Sequence, residues 1–354
     1  MNIEHTLTLF RNNVPLYERF TDKLSKLIHE LLELNGVQFS TERRVKSETS
    51  FREKITNPDK HYKYPLLEIT DICGARIILR NLSDIDTTLN IIREEFQVDE
   101  TNSVDKSTEL NIDQFGYNSI HIVVSTKAPR SNTTEWPQYA GMKAEVQIRT
   151  NLQHAWSLIS HKFDYKNRAD IPAHIRRRLF RLNALFELAD EELNEVIKDI
   201  QKTQDEYTQQ IRTGDTPTDL NIDSLRIYNE FSHEVTDWQE FITKELGINV
   251  ASWGDLSRDI KIALHCGIEN INQINQILVD ARPWGKIFFS KYFHEHCKRN
   301  NCKPSDITLV LNGVVTILMI ASRHEEFTTE ILEKEFGWFY GDYLLNIAKQ
   351  TRTK

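Results

Sequence analysis

The sequence predicts an α+β domain followed by an all-helical one. Three observations carry this expectation. Tyr117 to Val124 and Ala144 to Arg149 alternate with period two, as half-buried strands do. Helical three-four spacing brackets them over residues 5 to 35, 84 to 96 and 151 to 166. Beyond the polar run Thr213 to Asn221, TGDTPTDLN, the remaining periodicity is helical. At 354 residues the chain exceeds the usual single-domain size, so two domains are expected, 1–212 and 222–354.

Composition narrows the class. A hydrophobic content of 39% with 27% charged residues describes a soluble globular protein. The net charge of −8 argues against nonspecific coating of nucleic acid and leaves room for a local basic groove. No N-terminal stretch joins a basic head to an apolar run, so no signal peptide is expected. The longest apolar run, Gly313 to Ile320, is too short to span a bilayer. Four scattered cysteines, Cys73, Cys266, Cys297 and Cys302, read as reduced thiols of a cytoplasmic protein.

Leu7, Phe10, Val14, Tyr17, Phe20, Leu24, Leu27 and Leu31 mark the first helix, which Asn35-Gly36 ends. Val37 to Phe39 is a short strand candidate. In residues 41 to 55, TERRVKSETSFREKI, Arg43, Arg44, Lys46, Arg52 and Lys54 surround Ser47 and Ser50. Such a run is either a solvated loop leading into a helix or a cradle for a polyphosphate. Arg supplies a planar fork, Lys a point charge and Ser a hydroxyl. No glycine-rich phosphate loop occurs, which disfavours P-loop and Rossmann chemistry. Residues 66 to 80 read as a turn carrying Asp71 and then a strand, with Ala75, Ile77 and Leu79 on one face and Arg76, Ile78 and Arg80 on the other. The polar run Asp99 to Gln114 reads as a mobile loop.

The two alternating strands define the centre of the chain. Ile120, Ile122 and Val124 point one way; Ser119, His121 and Val123 point the other. Ala144, Val146 and Ile148 make an apolar row, with Glu145, Gln147 and Arg149 as a polar row behind it. A carboxylate, an amide and a guanidinium on one face make an expensive row to bury. Outward polar faces are nevertheless ordinary in antiparallel sheets. His154 and His161, on the next helix, read as structural rather than metal-binding.

RVKSETSFREK, DICGAR, GYNSIH and EVQIRT, in this order and spacing, resemble the synthetase domain of the RelA/SpoT family, which makes the alarmone (p)ppGpp. The resemblance spans about residues 35 to 170. It implies a nucleotidyltransferase-like, mostly antiparallel sheet flanked by helices. It also implies transfer of the β,γ-pyrophosphate of ATP to the ribose 3′-hydroxyl of GDP or GTP. The family's metal-dependent hydrolase domain carries a His-Asp signature, and no His-Asp pair occurs here. The chain is therefore expected to be a small, synthetase-only member; a homo-oligomer is expected as well.

By the same resemblance, Asp71 and Glu145 hold Mg2+, and Glu145 is placed to take the 3′-hydroxyl proton. Arg44 and Arg76 match the pair that sandwiches adenine; Lys46, Ser50 and Lys54 match the phosphate-contacting positions. Tyr117 matches the residue that stacks on guanine, and His121, Gln147 and Arg149 match positions around the acceptor and the site floor.

One departure bears on the acceptor. Many relatives that use free GDP or GTP carry a cation just before the Gly-Tyr motif. Here Asn111 to Phe115 holds an acid and no cation. The alternatives are a small synthetase that modifies the 3′ end of transfer RNA or makes adenosine alarmones, and an inactive binding or sensor module. Intact Asp71, Glu145 and Tyr117 argue against the last.

A long helix is expected over about Ile171 to Arg212. Ile175, Leu179, Leu182, Phe186, Ala189, Leu193, Val196 and Ile200 form a four-three seam. Arg176, Arg177, Arg178 and Arg181 at its start read as a solvated basic face or an RNA-backbone contact. Six further helices are expected over 222–246, 255–265, 270–280, 283–299, 304–321 and 327–349. His294, His296, Cys297 and Cys302 match no zinc-finger spacing.

Overall fold

The computed structural model describes residues 2–105, 119–128, 130–163, 172–217 and 219–352, with backbone alone at 161–163. The chain divides into two compact units, Met1–Ile197 and Lys198–Lys354.

The first unit opens with helix α1 (Ile3–Leu34), capped by Asn2, whose side chain accepts from the His5 amide. Its buried stripe includes Leu7, Phe10, Tyr17, Phe20, Leu24, Ile28 and Leu32. Strand β1 (Phe39–Val45) follows, then α2 (Glu48–Thr56), α3 (Pro65–Glu68), β2 (Cys73–Leu79) and α4 (Asp84–Glu95). Next come β3 (Phe96–Val98), β4 (Val104–Asp105), β5 (Ile120–Thr126), β6 (Ala144–Thr150), α5 (Asn151–Phe163) and α6 (Ala173–Thr213), the last crossing into the second unit.

The sheet runs β1-β2-β6-β5-β3, with β4 also pairing to β5. Among the described residues of this sheet, β2 and β6 pair in parallel and the other pairs are antiparallel. One face is apolar: Ala75, Ile77, Leu79, Ile122, Val124, Ala144, Val146 and Ile148 are buried in one cluster with the α1 stripe and with Leu89, Ile91 and Ile92 of α4. Burying one such large side chain stabilises the fold by about 1.5–3 kcal/mol. The other face carries the polar rows, and the register aligns them. Gly74 stands opposite Glu145, Arg76 opposite Gln147, and His121 opposite Gln147 from the other side.

Several expectations change here. The first strand covers Phe39–Val45 rather than Val37 to Phe39, so Arg43 and Arg44 belong to a strand and not to a loop. Antiparallel pairing along all seven residues of β2 overrides the weak strand propensity of the charged run. The polar run after Asp99 contains β4, and β3 precedes it; both are too short to show periodicity. In α6 the buried polar positions Asn183, Asp190 and Asn194 lie beside Phe186, whose ring approaches Trp156 at 5.8 Å. Ile175, Leu182, Leu193, Val196 and Ile200 of the expected seam are exposed.

The second unit is helical: α7 (Ile222–Phe231), α8 (His233–Glu240), α9 (Leu256–His265), α10 (Ile271–Asp280), α11 (Gly285–Asn300), α12 (Gly313–Ser322), α13 (Thr329–Lys334) and α14 (Gly341–Arg352). Two-residue strands β7 (Asn249–Val250) and β8 (Thr308–Leu309) pair in parallel between them. Its core includes Trp238, Phe288, Phe289 and Tyr292. A Cβ at Gly285 would stand 2.5 Å from the Trp238 ring, so this position admits no side chain while the tryptophan stays in place. No helix among the described residues is long and apolar enough to cross a membrane.

Candidate active site

The polar face of the sheet gathers residues distant in sequence. Alternation on β1 puts Glu42 and Arg44 on this face, and alternation on β2 adds Arg76. Glu145 and Gln147 come from β6, with His121 opposite on β5. Asp71 joins them from the turn before β2. A cleft on this face is lined by Glu42, Arg44, Asp71, Arg76, Glu145 and Gln147, among others.

The cations reach Asp71 from two elements. Lys46 directly follows β1, where its amide donates to Ile72 O at 2.8 Å, and its Nζ donates to Asp71 Oδ2 at 2.7 Å. Lys54 on α2 donates to Asp71 Oδ1 at 2.9 Å. Helix α2 starts at its N-cap Ser47, whose Oγ accepts from the Ser50 amide at 3.2 Å. Ser50 lies one turn before Lys54, so the two share a helix face, with Ser50 exposed. Burial pushes the Asp71 carboxyl up, but the hydrogen bonds and charge of Lys46 and Lys54 outweigh it and leave the group below the usual carboxylate range.

Glu145 is held from two sides. Gln147 Nε2 donates to its Oε1 at 2.6 Å, and His121 Nδ1 stands 3.4 Å from the same oxygen. Burial pushes Glu145 up and the charge of Asp71 adds to that. The bonds from His121 and Gln147 win, and the net direction is down. That the charge of one carboxylate raises the other places the two within electrostatic reach.

Arg76 bonds to Glu42 and, through Nε, contacts Gln147 Oε1 at 3.4 Å. Arg149 is only 1% exposed; it donates to Ser157 Oγ at 2.9 Å and to Gln147 Oε1. Tyr117 lies outside the described residues. The structure therefore brings together Asp71, Glu145, Arg44, Arg76, Lys46, Lys54, His121 and Gln147. It sets Ser50 at the edge and Arg149 beneath the surface.

Sequence reasoning missed Glu42 and Ser157, and it read His154 as structural. Glu42 shares the strand face of Arg44 and was legible once a strand reached that far. Helix α5 follows β6 without a loop because Thr150 and Gln153 form a reciprocal cap. Gln153 N donates to Thr150 Oγ1 at 3.1 Å, and Thr150 N donates to Gln153 Oε1 at 3.0 Å. That T-x-x-Q signature could have fixed the start of α5. His154 Nε2 lies 3.8 Å from Glu42 Oε1. Burial pushes its imidazole down; Glu42 opposes this, and Arg76 and Arg149 add to it.

Among the described residues, no group of three or more His, Cys, Asp or Glu side chains could by itself hold a metal. Two facing carboxylates fit Mg2+ instead, which commonly binds through one or two carboxylates plus substrate phosphates and keeps several waters.

Two carboxylates facing one cleft, flanked by two lysines and two arginines, are the equipment of a domain that handles a nucleotide polyphosphate. Comparison with known proteins gives the family. Residues 43–170 match the model of the region found in RelA / SpoT proteins. GTP pyrophosphokinase YjbM of Bacillus subtilis is 30% identical over 167 residues, which cover 46% of this chain and 72% of that protein. GTP pyrophosphokinase YwaC of the same organism is 27% identical over 164 residues, covering 45% and 74%. The chain belongs to the RelA/SpoT family. Among solved structures, the small alarmone synthetase 1 from Bacillus subtilis is 25% identical, with 55% of this chain and 98% of that one covered and a TM-score of 0.45.

Proposed function

We propose that this protein is a pyrophosphokinase that moves the β,γ-pyrophosphate of ATP onto the ribose 3′-hydroxyl of GDP or GTP. The observation that carries the reading is the facing pair Asp71 and Glu145 between Lys46, Lys54, Arg44 and Arg76, in a chain that spans 72% of a GTP pyrophosphokinase.

Placement supports each role except that of Tyr117, which rests on its motif. Arg44 stands opposite Gly74, two residues from Arg76, so the two arginines are diagonal neighbours on an antiparallel pair. Such neighbours sit about 7–8 Å apart, which leaves space for a flat base between two guanidinium planes. Lys46, Lys54 and Ser50 meet the donor's phosphates. Asp71 and Glu145 would hold Mg2+ carried on ATP, which would supply neutralisation of charge on the transferring group. Glu145, kept ionised at neutral pH by His121 and Gln147, takes the proton of the acceptor hydroxyl. The 3′-oxygen bonds to the β-phosphorus, the bond from that phosphorus to the α,β-bridging oxygen breaks, and AMP leaves. Tyr117 is the stacking platform for guanine.

The test is incubation of the purified protein with γ-labelled ATP and, separately, GDP, GTP, ATP and bulk transfer RNA. Label on the guanine nucleotides is expected. Label on transfer RNA alone overturns the assignment of the acceptor.

A further inference from the structure

The polar row of β6 contains a chain of side chains in which the last member never reaches the cleft. We infer that Arg149 is a positioning residue, which acts through Gln147 to aim the Glu145 carboxylate. The inference rests on the functional reading above and removes Arg149 from the set that touches the acceptor.

Among the described residues Arg149 is the largest side chain below 2% exposure, and it does not line the cleft that Glu145 and Gln147 line. Its guanidinium is pinned from α5 by Ser157, and α5 is tied to the end of β6 by the Thr150 and Gln153 cap. The pinned group then decides the orientation of Gln147. A primary amide has two nearly isosteric ends, one accepting and one donating. A guanidinium offers donors only. The Gln147 oxygen must therefore turn toward Arg149, where it accepts from Nη2, with Arg76 Nε a second and longer donor at 3.4 Å. The amide nitrogen is left facing Glu145 and donates to Oε1 at 2.6 Å. With the amide reversed, its N–H groups would meet the guanidinium and its oxygen would meet a carboxylate, and both contacts would be repulsive. Arg149 thus converts an ambiguous side chain into a fixed donor for the proton-accepting group.

This chain of contacts separates aiming from binding. Loss of Arg149 leaves the lysines around Asp71 and the Arg44 and Arg76 pair in place. It leaves the Gln147 oxygen with the longer contact from Arg76 Nε at 3.4 Å, which loosens the amide and lets the Glu145 carboxylate rotate away from the acceptor hydroxyl.

The experiment uses the full chain as wild type, Arg149→Met, Gln147→Met, the double variant and Ser157→Ala, with kcat, KM for each nucleotide and a melting curve. Arg149→Met, which removes every donor at this position, is expected to lower kcat about tenfold, to move both KM values less than about twofold, and to cost nothing further on top of Gln147→Met. An acceptor KM that rises while kcat holds would set Arg149 against the substrate and overturn the inference. An undiminished additional loss in the double variant would overturn it as well. Should Arg149→Met fail to fold, Ser157→Ala keeps the charge and removes one anchor, and the same pattern is expected with a drop of about two- to threefold. A readout without turnover completes the test. The Gln147 side-chain amide protons should exchange slowly with solvent in the wild type and faster in Arg149→Met, and equal exchange sinks the relay. A wild-type protein that transfers nothing would refute the functional reading and leave this last measurement standing.

Discussion

Lys54 Nζ stands 2.9 Å from Asp71 Oδ1, although one residue comes from α2 and the other from the turn before β2. Lys46 holds the second oxygen of the same carboxylate. The two lysines and the carboxylate are thus one prearranged group, and a substitution at Asp71 disturbs all three.

Asp71→Asn and Glu145→Gln are each expected to lower pyrophosphate transfer at least a hundredfold or so, since a metal clamp is worth several kcal/mol in the transition state. Asp71→Asn also takes the counter-charge from two lysines, which costs about 1.5–3 kcal/mol. The domain still folds, because its core lies on the other face of the sheet. Label transfer and a melting curve measure the two effects. Near-normal transfer by either variant would show that the carboxylates lie outside the chemistry.

Two aspartates should respond to pH with opposite signs. The folded pKa of Asp71 is lowered, so its stabilisation is present above the unfolded value, about 4, and is lost as pH falls through the folded one. Asp190 is raised: burial pushes it up, the Thr150 hydroxyl opposes this at 2.6 Å, and Glu191 adds to the rise. Its stabilisation is present below the unfolded value and is lost as pH rises through the folded one. Asp190→Asn keeps an acceptor for Thr150 and removes the buried charge. The variant should melt a few degrees higher than wild type at pH 7, and the gap should close toward pH 4. A lower melting temperature at pH 7 would contradict this.

For Tyr117, base stacking on an aromatic ring is worth about 1–3 kcal/mol. Tyr117→Ala should raise the acceptor KM about five- to a hundredfold, with little change for ATP. Equal damage to the ATP KM would move Tyr117 to the donor side.

Arg76→Lys tests the donor side. A lysine keeps the charge and loses the plane, so the ATP KM should rise about tenfold while the acceptor KM holds. An unchanged ATP KM would show that the guanidinium does not stack on adenine.

Arg176, Arg177 and Arg178 are exposed at the start of α6. Their triple substitution by alanine should leave transfer to GDP unchanged within about twofold at low and high salt. Label on transfer RNA that collapses in the variant and weakens with salt would reveal a polynucleotide acceptor, since backbone contacts are salt-dependent.

The strands β2, β5 and β6 were legible because period-two alternation is a property of consecutive residues, and so was the division of β6 into an apolar and a polar row. Asp71, Glu145 and the cations of residues 44 to 54 were legible as motifs in a fixed order. Beyond the sequence lay whatever depends on pairing between distant segments. The strand character of Phe39–Val45 comes from its neighbour β2 and not from its own charged residues. The shared grip of Lys46 and Lys54 on one carboxylate required α2 to fold back against the turn before β2. Alternation alone put Arg149 in the same row as Glu145 and Gln147. Only the packing of α5 over the end of β6 decided that this guanidinium is buried and meets Ser157, because burial is set by what another element covers and no local pattern records it.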